Sequence, residues 1–184
     1  MDRFSFVMVL LSIIVGLGVT ELLTNIARQI QSFGRTKFSW LHSLLVALVF
    51  VSLLQQWWES WDQRLVEDWS FLTLLMMLGG PVGLYLISHL LYPATPEDTD
   101  FEAYYFQRSK TVYLIAAGTV VLATLYRPLS FGHALIDPDN APSLFVLAIF
   151  LGLAFTDNKW AHRILVPLIL ASAVFDILYF HMSI

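Results

Sequence analysis

Cysteine is absent from the sequence, which excludes a disulfide framework, a thiolate metal site and a catalytic thiol. Charge is scarce too. Asp, Glu, Lys and Arg make up 13% of 184 residues, and the net charge is only −4. No basic run offers a nucleic acid an electrostatic footprint. A Gly-rich phosphate loop, a nucleophile elbow and a zinc-protease motif are all missing, so nothing in the sequence demands an enzyme. The first apolar run follows "MDRF" and has no small-residue cleavage pattern near its end. It is expected to be a retained helix and not a removed signal peptide.

The remainder is strongly apolar: 58% of residues are hydrophobic and the mean hydropathy is +0.70. A soluble domain of this size keeps much of its surface in water and has no way to hide that much apolar area. The expected fold is therefore an all-α integral membrane bundle, with residues 1–184 as a single transmembrane domain. A spanning helix takes roughly 20 mostly apolar residues. Six stretches qualify, at about 4–27, 39–61, 70–92, 110–126, 143–156 and 160–182. The fifth is short, so five crossings are the alternative. "FEAYYFQRSK", ahead of the fourth, reads as the start of an interfacial helix running into it.

Basic residues set the expected orientation. Arg28, Arg35, Lys37, Arg108, Lys110, Lys159 and Arg163 belong to the first, third and fifth connections, against Arg3, Arg64 and Arg127 on the opposite side. Seven against three puts the odd connections in the cytoplasm and both termini outside. The tryptophans agree. Trp57, Trp58, Trp61 and Trp69 fall at the outer interface, and Trp40 and Trp160 at the inner one. Indole favours the headgroup layer because its ring is apolar and its N–H can stay wet.

Polar residues inside the spans are the functional candidates. At about 100° per residue, Ser52, Gln55, Gln56, Glu59, Asp62 and Gln63 share one side of the second helix. Leu54, Trp57, Trp58 and Trp61 share the other. The polar stripe is either an outer vestibule that concentrates cations or a helix end emerging into water. In the first helix, Glu21, Thr24, Asn25 and Arg28 share a face near the inner interface. Glu21 suits an ion or proton relay, or a structural network with Asn25 and Arg28. Asp176 lies in the sixth helix with no basic residue near it in sequence, so it needs a distant partner, water or a proton.

Three further features stand out. "GGPVG" sets Gly79, Gly80 and Pro81 in the middle of the third helix, where a break or kink is expected and freed backbone groups can bind ions or substrate. Ser12, Gly16, Thr20 and Thr24 recur every four residues, a small-residue ridge for close helix packing within the chain or between subunits. His42, His89 and His162 all fall near the cytoplasmic surface. They are weak candidates for a metal site or haem ligation, without any supporting local spacing. The expectation is that no metal or other cofactor is bound.

"SIIVGLGVTELL", "QQWWESW", "LISHLLYP" and "FEAYYFQRSK" together resemble a group of small uncharacterised bacterial polytopic inner-membrane proteins. The resemblance covers the first two-thirds of the chain. It implies a bacterial inner-membrane setting and no particular chemistry. Three function classes follow from the residues. The first is a channel or transporter component for a small ion or proton, working as a homo-oligomer in the lipid bilayer. The second is a non-catalytic subunit or scaffold of a larger membrane complex. The third is a haem-, quinone- or lipid-binding membrane protein.

Overall fold

The computed structural model describes residues 3–32, 34–65, 70–95, 98–131 and 141–180. Their six helices are α1 (Arg3–Gln31), α2 (Trp40–Glu59), α3 (Phe71–Leu90), α4 (Phe101–Phe131), α5 (Ala141–Phe155) and α6 (Lys159–Phe180). A 3-10 turn over Ser60–Leu65 extends α2. Trp69, expected among the outer anchors, lies outside the described residues. Five helices are long and apolar enough to cross a membrane, and the sixth, α5, is shorter. At 1.5 Å per residue α5 is about 22 Å long, against a hydrocarbon layer of about 30 Å. The chain is a helical membrane bundle, as its composition requires.

Several helices begin where the sequence supplies a cap. Ser39 Oγ accepts the His42 N–H at 3.3 Å, and Ser70 Oγ accepts that of Thr73 at 3.0 Å. Asp100 Oδ1 accepts from both Glu102 and Ala103 at 3.1 Å, and Asn158 Oδ1 accepts from Trp160 at 3.0 Å. A serine cap of this kind contributes about 1 kcal/mol. With Asp100 as its start, "FEAYYFQRSK" is the first part of α4 and runs into the span without a break.

α3 packs between α1 and α4, and α5 lies on α4. α2 crosses α1, α3 and α6, while α6 leans on α2 and touches α5 only lightly. Leu11, Leu22, Leu53, Ile87, Leu153 and Val166 form the closed centre. Lipid is as apolar as leucine, so such helices associate through close fit and interhelical hydrogen bonds. Glycine supplies the fit in α3. A Cβ at Gly79 would sit 2.5 Å from Leu122 Cδ1, and one at Gly83 would run into Thr119 Cγ2.

At Gly79, Gly80 and Pro81, where a break or kink is expected, α3 is in close contact with its neighbours. α3 is helical from Phe71 to Leu90 with Pro81 inside it. Proline removes one backbone hydrogen bond, but neighbouring helices can hold a membrane helix through that loss. Here α4 presses on Gly79 and Gly83, and Pro81 itself is fully buried.

The first, third and fifth connections meet at one end. Lys37 donates its N–H to Thr99 O at 2.9 Å and accepts that of Phe101 at 3.2 Å. Lys37 Nζ lies 3.2 Å from Asp100, Arg35 3.6 Å from Asp98, and Lys159 3.0 Å from Glu102. α5 runs antiparallel to α4: Lys110 lies over the Phe155 ring, and Tyr113 faces Phe150.

Candidate functional site

The polar stripe of α2 turns only partly into the bundle: Ser52, Gln55 and Gln56 are half-buried, and Glu59 and Asp62 are exposed. Its inward continuation, Leu45, Leu48 and Val49, is buried, whereas Leu54, Trp57, Trp58 and Trp61 on the opposite side are exposed. Gln55 spans two acids. Its Nε2 donates to Glu59 Oε1 at 2.8 Å and to Asp176 Oδ2 of α6 at 2.9 Å. An amide nitrogen has two hydrogens, and both are used here. Gln56 turns the other way, toward α3, where a Cβ on Gly80 would fall 2.7 Å from its Oε1. One turn further out, Tyr126 of α4 donates to Gln63 Oε1. α2 and the turn that extends it thus place amide groups against α3, α4 and α6 at the C-terminal end of α2.

Two carboxylates reached by one nitrogen lie close together. They repel each other, and a cation placed between them relieves the repulsion. Gln55 fixes their positions without adding charge. Trp57 and Trp61 brace the same region from outside the stripe: Trp57 Nε1 donates to Ser12 Oγ at 3.3 Å, and Trp61 meets Phe4 edge to face at 6.1 Å.

At the inner end, Glu21 Oε1 accepts from Asn25 Nδ2 at 3.0 Å, and Arg28 reaches Asn25 Oδ1 at 3.4 Å. His89 Nδ1 of α3 lies 3.0 Å from the same Glu21 oxygen. The network of Glu21 with Asn25 and Arg28 therefore exists, and it ties α1 to α3 through a histidine from elsewhere in the sequence. Tyr92 donates to Gln29 Oε1 at 3.2 Å, and burial pushes its hydroxyl up to about 12. Asp100 carries the opposite shift. The Ala103 N–H and then the Lys37 ammonium hold its carboxyl below the ordinary value of 3.8.

No family model, curated protein or solved structure matches the chain. Its function has to be argued from its own residues.

The three histidines occupy three separate settings. His42 Nε2 lies 2.8 Å from Leu91 O, and its ring rests between Tyr92 and Phe101 with Nδ1 buried and unbonded. His89 binds Glu21. His162 is enclosed by Tyr105, Tyr113 and Phe106. Among the described residues, no three His, Asp or Glu side chains gather in a way that would hold a metal ion.

Sequence reasoning found Gln55, Glu59 and Asp176 separately but not their junction, which joins residues 121 apart. It missed Tyr105 and Tyr113 altogether. The available signal was a pair of hydroxyl-bearing aromatics two turns apart on a membrane helix, a setting in which a buried hydroxyl takes a partner. The small-residue ridge of α1 faces outward. Ser12, Gly16, Thr20 and Thr24 are all exposed, and a Cβ on Gly16 would meet nothing within 4 Å.

Proposed function

We propose that the protein is a channel or transporter component for a small cation or the proton in the bacterial inner membrane. The observation that carries this reading is the junction at the mouth of the α2 stripe, where half-buried Gln55 binds exposed Glu59 and half-buried Asp176 together. The acid pair attracts and briefly holds a cation at the outer half of the bundle. Leu48, Val49, Leu53 and Met77 close the path below it, a dry segment of the kind that gates by losing its water. Glu21 and His89 receive the ion or proton at the inner end.

Purified protein in liposomes tests this. Proton or monovalent-cation flux is expected, and Asp176→Asn should lower it at least tenfold while the protein stays folded. A chain that carries no flux, or one in which neither Asp176→Asn nor Glu59→Gln alters it, removes the transport reading.

A second reading has its own support. The outward ridge at Ser12, Gly16, Thr20 and Thr24 admits the close approach of another membrane helix. The helix is supplied either by a second copy, which fits an oligomeric transporter, or by another protein, which fits a scaffold subunit. Recovery of a stable heteromeric complex in mild detergent would favour the scaffold.

A further inference from the structure

The inner end of α6 is fastened by a hydrogen-bond chain that the transport reading does not use. His162 lies in the first turn of α6 and is fully buried, as are Tyr105 and Tyr113 of α4. His162 Nε2 is 2.9 Å from Thr156 O, and Nδ1 is 2.8 Å from the Tyr105 hydroxyl. The Tyr105 and Tyr113 hydroxyls are 2.8 Å apart.

The direction of the chain follows from its end. A carbonyl oxygen only accepts, so His162 carries hydrogen on Nε2. The neutral ring then has a lone pair on Nδ1. Tyr105 donates to it, which leaves the Tyr105 oxygen to accept from Tyr113. Each link has one donor and one acceptor, and no charge is buried. Phe106 and Phe150 pack around the three rings.

A proton on His162 breaks this order. With hydrogen on both nitrogens, the ring donates to Thr156 and also to Tyr105. Tyr105 must then turn its own hydrogen toward Tyr113. The Tyr113 hydroxyl has no other hydrogen-bond partner among the described residues, so its hydrogen is left buried and unbonded. A buried polar group without a partner is costly, and a charge has been buried in addition.

We propose that the Tyr113–Tyr105–His162–Thr156 chain is a proton-sensitive latch that holds the inner end of α6 to α4 and opens when His162 is protonated. α6 leans mainly on α2, and its ties to α4 are this chain, the ion pairs of Glu102 and the packing of Phe106 against His162 and Lys159. The charged groups around the ring are Lys159 and Arg163 on α6, Glu102 and Lys110 on α4, and Asp157 in the connection. None is hydrogen-bonded to the imidazole, and Glu102 is taken up by Lys159 at 3.0 Å and Arg163 at 3.4 Å. On α2 the nearest titratable side chain by level is His42, whose ring is bonded to Leu91 O. The latch is closed while the His162 ring is neutral and opens when the ring takes a proton, because the charged ring leaves the Tyr113 hydrogen without an acceptor.

The chain has no cysteine, so spin labels can be placed cleanly at Gln107→Cys on α4 and Ile164→Cys on α6. In nanodiscs the distance between them should lengthen and broaden as pH falls from about 8 to about 5, the span over which imidazole changes charge. With His162→Gln, whose amide supplies one donor and one acceptor at every pH, the distance should stay at its alkaline value. A distance that ignores pH in the parent, or a change that persists with His162→Gln, overturns the proposal. Nitrogen NMR of the unmutated chain gives a second check that needs no variant. His162 should show hydrogen on Nε2 alone at about pH 8, and hydrogen found on Nδ1 instead would reverse the chain and end the argument.

Discussion

At the scale of single residues, two glycines separate packing from propensity. Gly83 faces Thr119, and the Thr119 rotamer is held because Oγ1 donates to Ala116 O at 2.7 Å. An added methyl therefore meets a branched side chain that has little freedom to yield. Gly83→Ala should lose about 1–3 kcal/mol to overpacking, more than the roughly 1 kcal/mol that alanine gains in a helix. Thr119→Ser keeps the hydroxyl and deletes the obstructing methyl, so adding it should restore most of the loss. Gly118 is the control: it has open space around it, and Gly118→Ala should be neutral or stabilising. Thermal unfolding in detergent measures all three. If Thr119→Ser fails to rescue, the close approach of α3 and α4 at this level is wrong. "GGPVG" announced something unusual in α3, but only the position of α4 shows what Gly79 and Gly83 touch.

The elements were largely legible because most are long and apolar and four begin at a cap residue. Ser39, Ser70, Asp100 and Asn158 stand where their helices begin, and "QQWWESW" already separated into two faces. The neighbours of those faces were not legible. A helical wheel says that Gln55 and Trp57 point apart; it does not say that α6 stands opposite Gln55. The run of Leu45, Leu48 and Val49 below the stripe turns the deeper part of that face inward, while Glu59 and Asp62 at its outer end are exposed. The same scale gives a pH prediction at the start of α4. The Asp100 carboxyl is held below its ordinary value by Ala103 N–H and Lys37, so its contribution is complete above 3.8 and is lost as pH falls through the lower folded value. The amide signals of Glu102 and Ala103 should therefore move together only below 3.8, and Asp100→Asn should abolish that movement. Signals that shift well above that value would mean that the cap does not form.

For the whole molecule, the decisive relation is which connections share an end. Lys37 pairs with Asp100 and Lys159 with Glu102, so the links after α1, α3 and α5 lie together. α4 leaves that end and α6 begins at it. The chain therefore has to return between Phe131 and Lys159, and α5, antiparallel to α4, makes that return despite its length. Connectivity, which a hydropathy profile does not contain, is what favours six passages over five. It also means that one measured side fixes all the others. The shared end carries Arg28, Arg35, Lys37, Arg108, Lys110, Lys159 and Arg163, and the positive-inside rule predicts that it faces the cytoplasm. Single cysteines at Asp62, Asp98 and Asp157 in the cysteine-free chain test this with a membrane-impermeant maleimide on intact cells. Asp62→Cys should react at once, and Asp98→Cys and Asp157→Cys only after the membrane is opened. The reverse pattern would invert the orientation and place the acid pair of Glu59 and Asp176 on the cytoplasmic side. Asp157→Cys reacting together with Asp62→Cys would be more damaging, because Lys159 and Glu102 would then lie on opposite sides of the membrane and the pairing of α4 with α6, the latch included, could not form.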